Sequence, residues 1–299
     1  MYDNLISKAQ ELRRQTFHAF VEHGEAHLGG SFSIIEILLA LYERALHEKD
    51  KFILSKAHAS FPLCLLLRQK GFDPKLRTHL ELDPVNGIHC TTGSLGHGLP
   101  IGMGMAMARK RLGRPGRIYV MISDGECQEG TTWESLLIGA KHELDNLVVL
   151  VDYNKVQALT TLKEGLPLES LSAKFRAFNW DCEEVMDGHS FDQLVPALEK
   201  ASSLSIPRVL IVHTIKGKGI KAFENDPKHA PICSSIGINL YPRIVLPPRI
   251  ISPLLFPIRN FHVKFIIGFG GRELYHPCWS QIVNKGADLF IARIELFER

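Results

Sequence analysis

An aspartate and an asparagine follow two apolar runs at a spacing that could form a ligand site. Asp124 follows Ile118–Ile122, and Asn154, 30 residues further on, follows Leu147–Val151. These β-branched runs are typical of buried parallel strands, whose carboxyl ends open onto one crevice when they are adjacent. A carboxylate and an amide oxygen suit a hard cation such as Mg²⁺, which keeps other positions for water and phosphate. The alternative is two ordinary turn residues, since Asp-Gly and Tyr-Asn are common in turns.

The residues around this pair resemble the thiamine diphosphate motif of the transketolases. The motif consists of Ser-Asp-Gly-Glu-Cys-Gln-Glu-Gly at 123–130, a helix, and Leu-Val-Val-Leu-Val-Asp-Tyr-Asn at 147–154. The resemblance implies that a divalent metal, Mg²⁺ or another cation such as Ca²⁺ or Mn²⁺, binds the side chains of Asp124 and Asn154 and the carbonyl of Val156. That metal would hold the diphosphate of thiamine diphosphate.

The same motif implies cofactor contacts at Gly125, Glu126 and Asn154. Gly125 has no side chain, so backbone N–H groups could approach a phosphate there. Thr131 and Glu134 have the spacing of a capping box, which predicts the start of the intervening helix.

Three histidine motifs, Gly-Glu-Ala-His-Leu-Gly-Gly-Ser at 24–31, Ile-Leu-Ser-Lys-Ala-His-Ala-Ser at 53–60 and Lys-Gly-Lys-Gly-Ile at 216–220 leading to His229, extend the resemblance. A single histidine is most often a surface or core residue. Beside the metal motif, however, the resemblance implies that His27 contacts substrate and assists proton transfer. His58 would lie near the cofactor, and His229 would contact both diphosphate and sugar. Imidazole can donate, accept or move a proton near neutral pH.

A glycine loop and a glutamate complete the predicted site. Gly93, Ser94 and Leu95 resemble the family loop whose backbone faces the cofactor, although a helix-entry turn is the simpler alternative. Glu129 could be a general acid or base or a charge at a helix start. The resemblance instead implies a catalytic role for it at a subunit interface.

The family's His-Pro substrate loop is missing from the stretch between Arg77 and His89. His79 and His89 are the candidate replacements in this stretch.

The composition is that of a globular protein: 299 residues, 45% hydrophobic, 22% charged and a net charge of +3. No cluster of basic residues with interleaved aromatics predicts nucleic acid binding. Six cysteines without a Cys-x-x-Cys pair favour a reduced intracellular protein. No secretory leader or membrane span is evident, so the expected location is the cytoplasm.

Apolar periodicity predicts alternating helices and strands, and hence an α/β fold with a doubly wound parallel sheet and helices on both faces. By the resemblance this is the thiamine diphosphate-binding fold, in its diphosphate-binding domain. Residues 1–231 are predicted to form this domain, and 232–299 a proline-rich apolar tail without a predicted fold. The remaining predicted elements are helices at Asp3–Val21, Ile34–Leu46 (after a capping box, Ser33 to Glu36), Ala59–Lys70 and Leu99–Arg111, and strands at Phe52–Leu54 and Val209–His213.

The resemblance implies transfer of a two-carbon ketol unit from a ketose phosphate to an aldose, a reaction of carbohydrate metabolism of the pentose phosphate type. It covers about residues 5–231, without the family's pyrimidine-binding domain. The chain therefore resembles the N-terminal subunit of a split transketolase, with a C-terminal partner subunit, in a homodimer or heterotetramer. Alternatives are a 2-oxo acid dehydrogenase alpha subunit or deoxyxylulose phosphate synthase, both disfavoured by the histidines, and a non-catalytic scaffold chain.

Overall fold

The computed structural model describes residues 2–23, 27–157, 160–201, 205–221 and 223–225, and the backbone of strands between 262 and 297. The chain divides into two compact units, Met1–Ser235 and Ile236–Arg299. His229 and the proline-rich run at 244–258 lie outside the described residues. The predicted domain boundary at residue 231 stays a prediction.

The described part of the first unit contains a five-stranded parallel sheet, as predicted. The strand order is β1-β2-β3-β5-β4. Every residue of β2 and β3 is buried, which explains why their sequences are continuous apolar runs, whereas burial alternates along the edge strand β4. The strands are β1 (Lys51–Leu54), β2 (Ile118–Ser123), β3 (Leu147–Tyr153), β4 (Asp181–Val185) and β5 (Arg208–His213).

Helices cover both faces of this sheet, so the predicted doubly wound fold is confirmed. They are α1 (Asp3–His23), α2 (Leu28–Phe32), α3 (Ile35–Ala40), α4 (Ser60–Gln69), α5 (Gly98–Arg111), α6 (Gly130–Lys141), α7 (Leu171–Ala177) and α8 (Phe191–Ala201). A π-helical turn, Leu41–Ala45, continues α3, and short 3-10 turns lie at Ala57–Ala59, Pro84–Asn86 and Gly125–Gln128. The helices predicted at 3–21, 59–70 and 99–111 are confirmed to within a few residues.

The capping box predicted at Ser33 is wrong, because both of its side chains bind distant partners. The Ser33 hydroxyl donates to Asp152 Oδ2 at 2.7 Å and to the Gly30 carbonyl at 2.9 Å. Glu36 accepts from Arg13 at 2.7 Å, and its other oxygen lies 2.9 Å from His189 Nδ1. Helix α3 therefore begins without a side-chain cap.

The capping box predicted at Thr131 is also wrong. Helix α6 begins one residue earlier, at Gly130, without a side-chain cap. The Thr131 hydroxyl donates instead to the Gly96 carbonyl at 2.7 Å and ties the glycine loop to α6. A local pattern cannot reveal such a distant acceptor.

The core that positions the site lies between the sheet and helices α5 and α6. Its members include Val120, Ile122, Val149 and Val151 from the sheet and Leu99, Met103, Ala106 and Leu136 from the helices. Residues Ser123 and Asp152 are partners in the β2–β3 register. The loops after β2 and β3 consequently start side by side at the carboxyl edge of the sheet.

The second unit contains an antiparallel sheet in the order β7-β6-β8, which the sequence did not predict. Its strands are β6 (His262–Phe269), β7 (Arg272–Tyr275) and β8 (Ala292–Phe297).

Of the helices in the described part of the chain, none is long and apolar enough to cross a membrane. The cysteines in that part, Cys64, Cys90, Cys127 and Cys182, are free and buried.

Candidate functional site

The predicted meeting of the Asp124 and Asn154 loops is present in the structure. One carboxylate oxygen of Asp124 accepts the N–H of Lys155 at 2.6 Å, and the other accepts the N–H of Gly125 at 2.8 Å. The residues Asp124 and Asn154 are 3% and 8% exposed. Lys155 adopts a left-handed conformation, with φ of +65°, where its N–H meets Asp124. The two strand ends thus form one polar crevice.

The oxygen atoms in this crevice are of the chemical types that bind a divalent cation. The Asn154 Oδ1 atom accepts the Val156 N–H at 3.1 Å, and the Val156 carbonyl accepts from Lys216 Nζ at 3.0 Å. Asp124 has two backbone donors, neither of which carries a full charge, so a cation would compensate its buried charge. Carboxylate, amide and carbonyl oxygens are common ligands of Mg²⁺ and Ca²⁺. Within the described ranges, no three His, Cys, Asp or Glu side chains form a metal cluster.

Burial, and to a smaller extent the nearby charge of Asp152, raise the pKa of Asp124 to about 7. The backbone N–H of Lys155 acts in the opposite direction. Without a cation, the carboxyl group is therefore partly protonated near neutral pH. Metal binding requires the carboxylate, so it would shift this equilibrium toward the ionised form.

This raised pKa predicts how an Asp124→Asn variant should behave without metal. The carboxyl contributes stability fully below its ordinary pKa of 3.8 and loses it as pH rises through about 7, because only the folded state favours the proton. Asparagine does not titrate, so the variant should gain stability relative to the unaltered chain from pH 4 to 7.5. Urea unfolding across this range measures the difference, and parallel pH profiles would contradict the prediction.

Asp152 is a buried residue whose role the sequence did not reveal. Its carboxylate is 0% exposed and forms an ion pair with Lys56, which is 1% exposed. It also accepts hydrogen bonds from Ser33, from Thr214 and from Asn154 Nδ2. The available signal was a charged residue at the end of an apolar strand.

His27 and His58 lie together, with ring centroids 5.0 Å apart. Burial lowers the pKa of His27, and the charges of Lys216, His79 and Lys56 lower it further. Burial and Lys56 hold the pKa of His58 well below its ordinary value. Both rings are consequently neutral near pH 7 and can accept as well as donate hydrogen bonds.

Lys216 lies between these histidines and the segment that follows β3. Burial and Lys56 lower the pKa of Lys216, while Asp124 and Asp152 act in the opposite direction. Its ammonium donates to the carbonyls of Val156 and Gln157, both at 3.0 Å. The sequence had placed Lys216 in a family motif without giving it a function.

The side chain of Glu126, a predicted cofactor residue, holds the glycine loop. Its buried carboxylate accepts the Gly96 N–H at 3.0 Å, the Ser123 N–H at 2.9 Å and the Ser55 hydroxyl. Gly96 has φ of +76°, and an added Cβ would lie 2.7 Å from Glu129 Cβ, so another residue would be both strained and crowded. The turn at 93–95, with Ser94 and Leu95 exposed, is thereby fixed against β2.

Of the two candidate replacement histidines, the structure brings only His79 to this site. The exposed His79 ring packs on Gly93, where an added Cβ would lie 2.3 Å from its Cδ2 atom. Burial and the charges of Lys51 and Arg109 lower the pKa of His89 to about 4. The charges that influence His89 are thus those of Lys51, at the start of β1, and of Arg109, neither of which belongs to the crevice.

Glu129 is exposed at the start of α6, beside Gly96, in the single chain.

The described site combines an acidic and amide crevice, two neutral imidazoles and a glycine loop at the carboxyl ends of β1, β2 and β3. Together these features define an α/β protein with a polar crevice at the carboxyl ends of its parallel strands, the place where ligands bind in such sheets.

Comparison with known proteins identifies the family. The model of the transketolase thiamine diphosphate-binding domain matches residues 7–235, and the chain belongs to this family. It is 37% identical over 238 residues to the 6-deoxy-6-sulfo-D-fructose transketolase subunit SqwG of Clostridium sp., covering 72% of this chain and 86% of that protein. It is 34% identical over 250 residues to an apulose-4-phosphate transketolase subunit from Actinobacillus succinogenes, covering 76% and 90%.

The fold is similar to that of solved transketolases. The transketolase of Campylobacter jejuni superposes with a TM-score of 0.67 at 24% sequence identity. The match covers 75% of this chain and only 39% of that longer protein. This likeness confirms the thiamine diphosphate-binding fold predicted from the sequence.

Proposed function

We propose that this chain is the N-terminal, thiamine diphosphate-binding subunit of a split transketolase. The reaction would transfer a two-carbon ketol unit from a ketose phosphate to an aldose. The observation that supports this proposal is the hydrogen bond of 2.6 Å from the Lys155 N–H to Asp124, because it joins the loops after β2 and β3. Coverage of 86% and 90% of the two subunits, against 39% of a longer transketolase, supports the split organisation.

In this proposal the crevice residues hold Mg²⁺ and, through it, the diphosphate. Asp124 and Asn154 supply side-chain oxygens, and Val156 supplies its carbonyl. Backbone groups of the loop at 93–95 and of the segment from Gly125 to Glu126 would face the cofactor, and His58 and His229 are assigned to it by the family resemblance. Bound thiamine diphosphate supplies the electron sink for breaking and forming the carbon–carbon bond.

The histidines would handle the sugar. His27 and His58 have lowered pKa values, so a neutral His27 can accept a hydroxyl proton or donate to a carbonyl oxygen. His79 would replace the missing His-Pro loop as a contact for the donor sugar. His229 is proposed to contact the same sugar, and Glu129 to reach the neighbouring subunit.

The proposed partner is a C-terminal transketolase subunit with the pyrimidine-binding domain. The proposed assembly is a homodimer or a heterotetramer. Calorimetric titration of the purified chain with thiamine diphosphate, with and without Mg²⁺, tests the cofactor site without the partner. Saturable binding that requires the metal is expected, and its absence would favour a non-catalytic scaffold.

The split organisation predicts that the chain alone is inactive. Ketol transfer should appear only when the chain is mixed with its partner subunit, because the pyrimidine-binding half of the site is supplied in trans. A coupled assay on the chain, the partner and their mixture measures this directly. Equal transfer by the chain alone and by the mixture would refute the split site.

A further inference from the structure

The orientation of the Asn154 amide is decided by Asp152. The Asn154 Nδ2 atom donates to Asp152 Oδ2 at 3.0 Å. An ionised carboxylate only accepts hydrogen bonds, so the NH₂ group must face it and the amide oxygen must face the other way. The oxygen there accepts the Val156 N–H at 3.1 Å, beside the Val156 carbonyl that is itself a proposed ligand.

The Asp152 carboxylate is in turn held by three further donors. Ser33 donates to Oδ2 at 2.7 Å, Lys56 forms an ion pair with the same oxygen, and Thr214 donates to Oδ1. Lys56 follows β1 and Thr214 follows β5, so the strand ends on either side converge on this residue. Since Asp152 is completely buried, it can neither turn into solvent nor exchange these donors for water.

A direct metal contact would be a different role from the one these bonds describe. Asp152 already accepts three donors at Oδ2, from Ser33, Lys56 and Asn154, and one at Oδ1, from Thr214, and the Lys56 ammonium compensates its charge. Asp124 accepts only two backbone N–H groups. Asp124, whose direct hydrogen-bond donors carry no full charge, is therefore the carboxylate that a cation would compensate.

We propose that Asp152 is a positioning residue that presents the Asn154 amide oxygen to the divalent cation, acting through Asn154 and without touching metal or cofactor. This inference rests on the proposed function, because it requires a metal between Asp124 and Asn154. Lys56 completes the arrangement by neutralising Asp152 and by donating to the Gly30 carbonyl at 3.1 Å.

The first test is an Asp152→Asn substitution in the full chain. The Mg²⁺ concentration that half-saturates thiamine diphosphate binding should rise about 10- to 100-fold, the loss that follows removal of an outer partner of a metal ligand. The readout is calorimetric titration with the cofactor at a series of Mg²⁺ concentrations. Thermal unfolding of the metal-free chain is recorded in parallel, since Lys56 loses its counter-charge.

A reciprocal exchange, Asp152→Asn with Asn154→Asp, separates positioning from simple support of the fold. The new Asn side chain would donate to the new Asp side chain, which would present a carboxylate oxygen where the amide oxygen was. Most of the lost Mg²⁺ affinity should return. Asn154→Asp alone should not bind Mg²⁺ well, because two carboxylates would then lie about as close as the present 3.0 Å contact.

A second double variant, Lys56→Met with Asp152→Asn, removes the uncompensated ammonium and guards against a folding failure. Thermal stability should recover relative to Asp152→Asn, while the raised Mg²⁺ requirement should remain. Recovery of both properties would mean that Asp152 only supports the fold, and would overturn the inference.

The remaining outcomes are also decisive. An unaltered chain that binds the cofactor without regard to Mg²⁺, or that fails to bind it even with the partner subunit present, overturns the proposed function together with this inference. An unaltered chain that needs Mg²⁺ beside an Asp152→Asn variant with the same requirement overturns the inference alone. A folded reciprocal exchange that fails to regain affinity does the same.

Discussion

Replacing Asp124 by alanine is expected to weaken Mg²⁺-dependent binding of thiamine diphosphate by more than the roughly 100-fold that loss of an outer partner costs. Asp124 would supply the only full negative charge among the proposed ligands, the others being an amide and a carbonyl oxygen. Its carboxylate is buried at the point where the loops after β2 and β3 meet. Calorimetric titration with cofactor and Mg²⁺ measures the loss.

The matched control is Asp192→Ala, an exposed aspartate in the first turn of α8. It removes the same charge at a position that contributes nothing to the crevice, so cofactor affinity should be unchanged. Asn154→Ala should give a smaller loss than Asp124→Ala, because it removes a neutral oxygen. Unchanged affinity in both Asp124→Ala and Asn154→Ala would refute the metal assignment.

Replacing Lys56 by methionine is expected to lower the free energy of unfolding by about 3–5 kcal/mol, the usual cost of removing one partner of a buried ion pair. Lys56 and Asp152 are 1% and 0% exposed, so the remaining carboxylate would have no access to solvent. Its other donors, such as Ser33 and Thr214, are neutral and cannot replace the charge. Urea unfolding of the metal-free chain measures the change.

The same substitution at an exposed ion pair provides the control. Lys110 Nζ lies 2.9 Å from Asp145 Oδ1, with the two side chains 41% and 42% exposed. Lys110→Met should therefore change stability by only about 0–1 kcal/mol. Equal losses at Lys56 and Lys110 would show that burial does not make the Lys56–Asp152 pair special.

Under the proposed function the buried acids of the site have different tasks. Asp124 would bind the cation, whereas Asp152 is paired with Lys56 and accepts the Asn154 amide. The Glu126 carboxylate instead accepts the N–H groups of Gly96 and Ser123 and so holds the glycine loop against the end of β2. The sequence assigned Glu126 to the cofactor, a contact that its backbone could still make.

Elements whose signal is local were predictable from the sequence. The continuous apolar runs of β2 and β3 gave their strand character because both strands are buried on both faces. Their adjacency followed from the rule for parallel sheets, and the paired residues Ser123 and Asp152 confirm it. The edge strand β4, with two glutamates in five residues, carries no such apolar signal.

The sequence by itself thus determined four of the five parallel strands, the family motif, and the meeting of the loops that carry Asp124 and Asn154. Only the tertiary structure decided that Ser33 binds Asp152 instead of capping a helix, and that Thr131 binds Gly96. It also brought His79 onto Gly93, a contact that no local pattern predicts. The physical reason is that periodicity and spacing are set within a few residues, whereas a buried polar atom must find its partner wherever the fold places one.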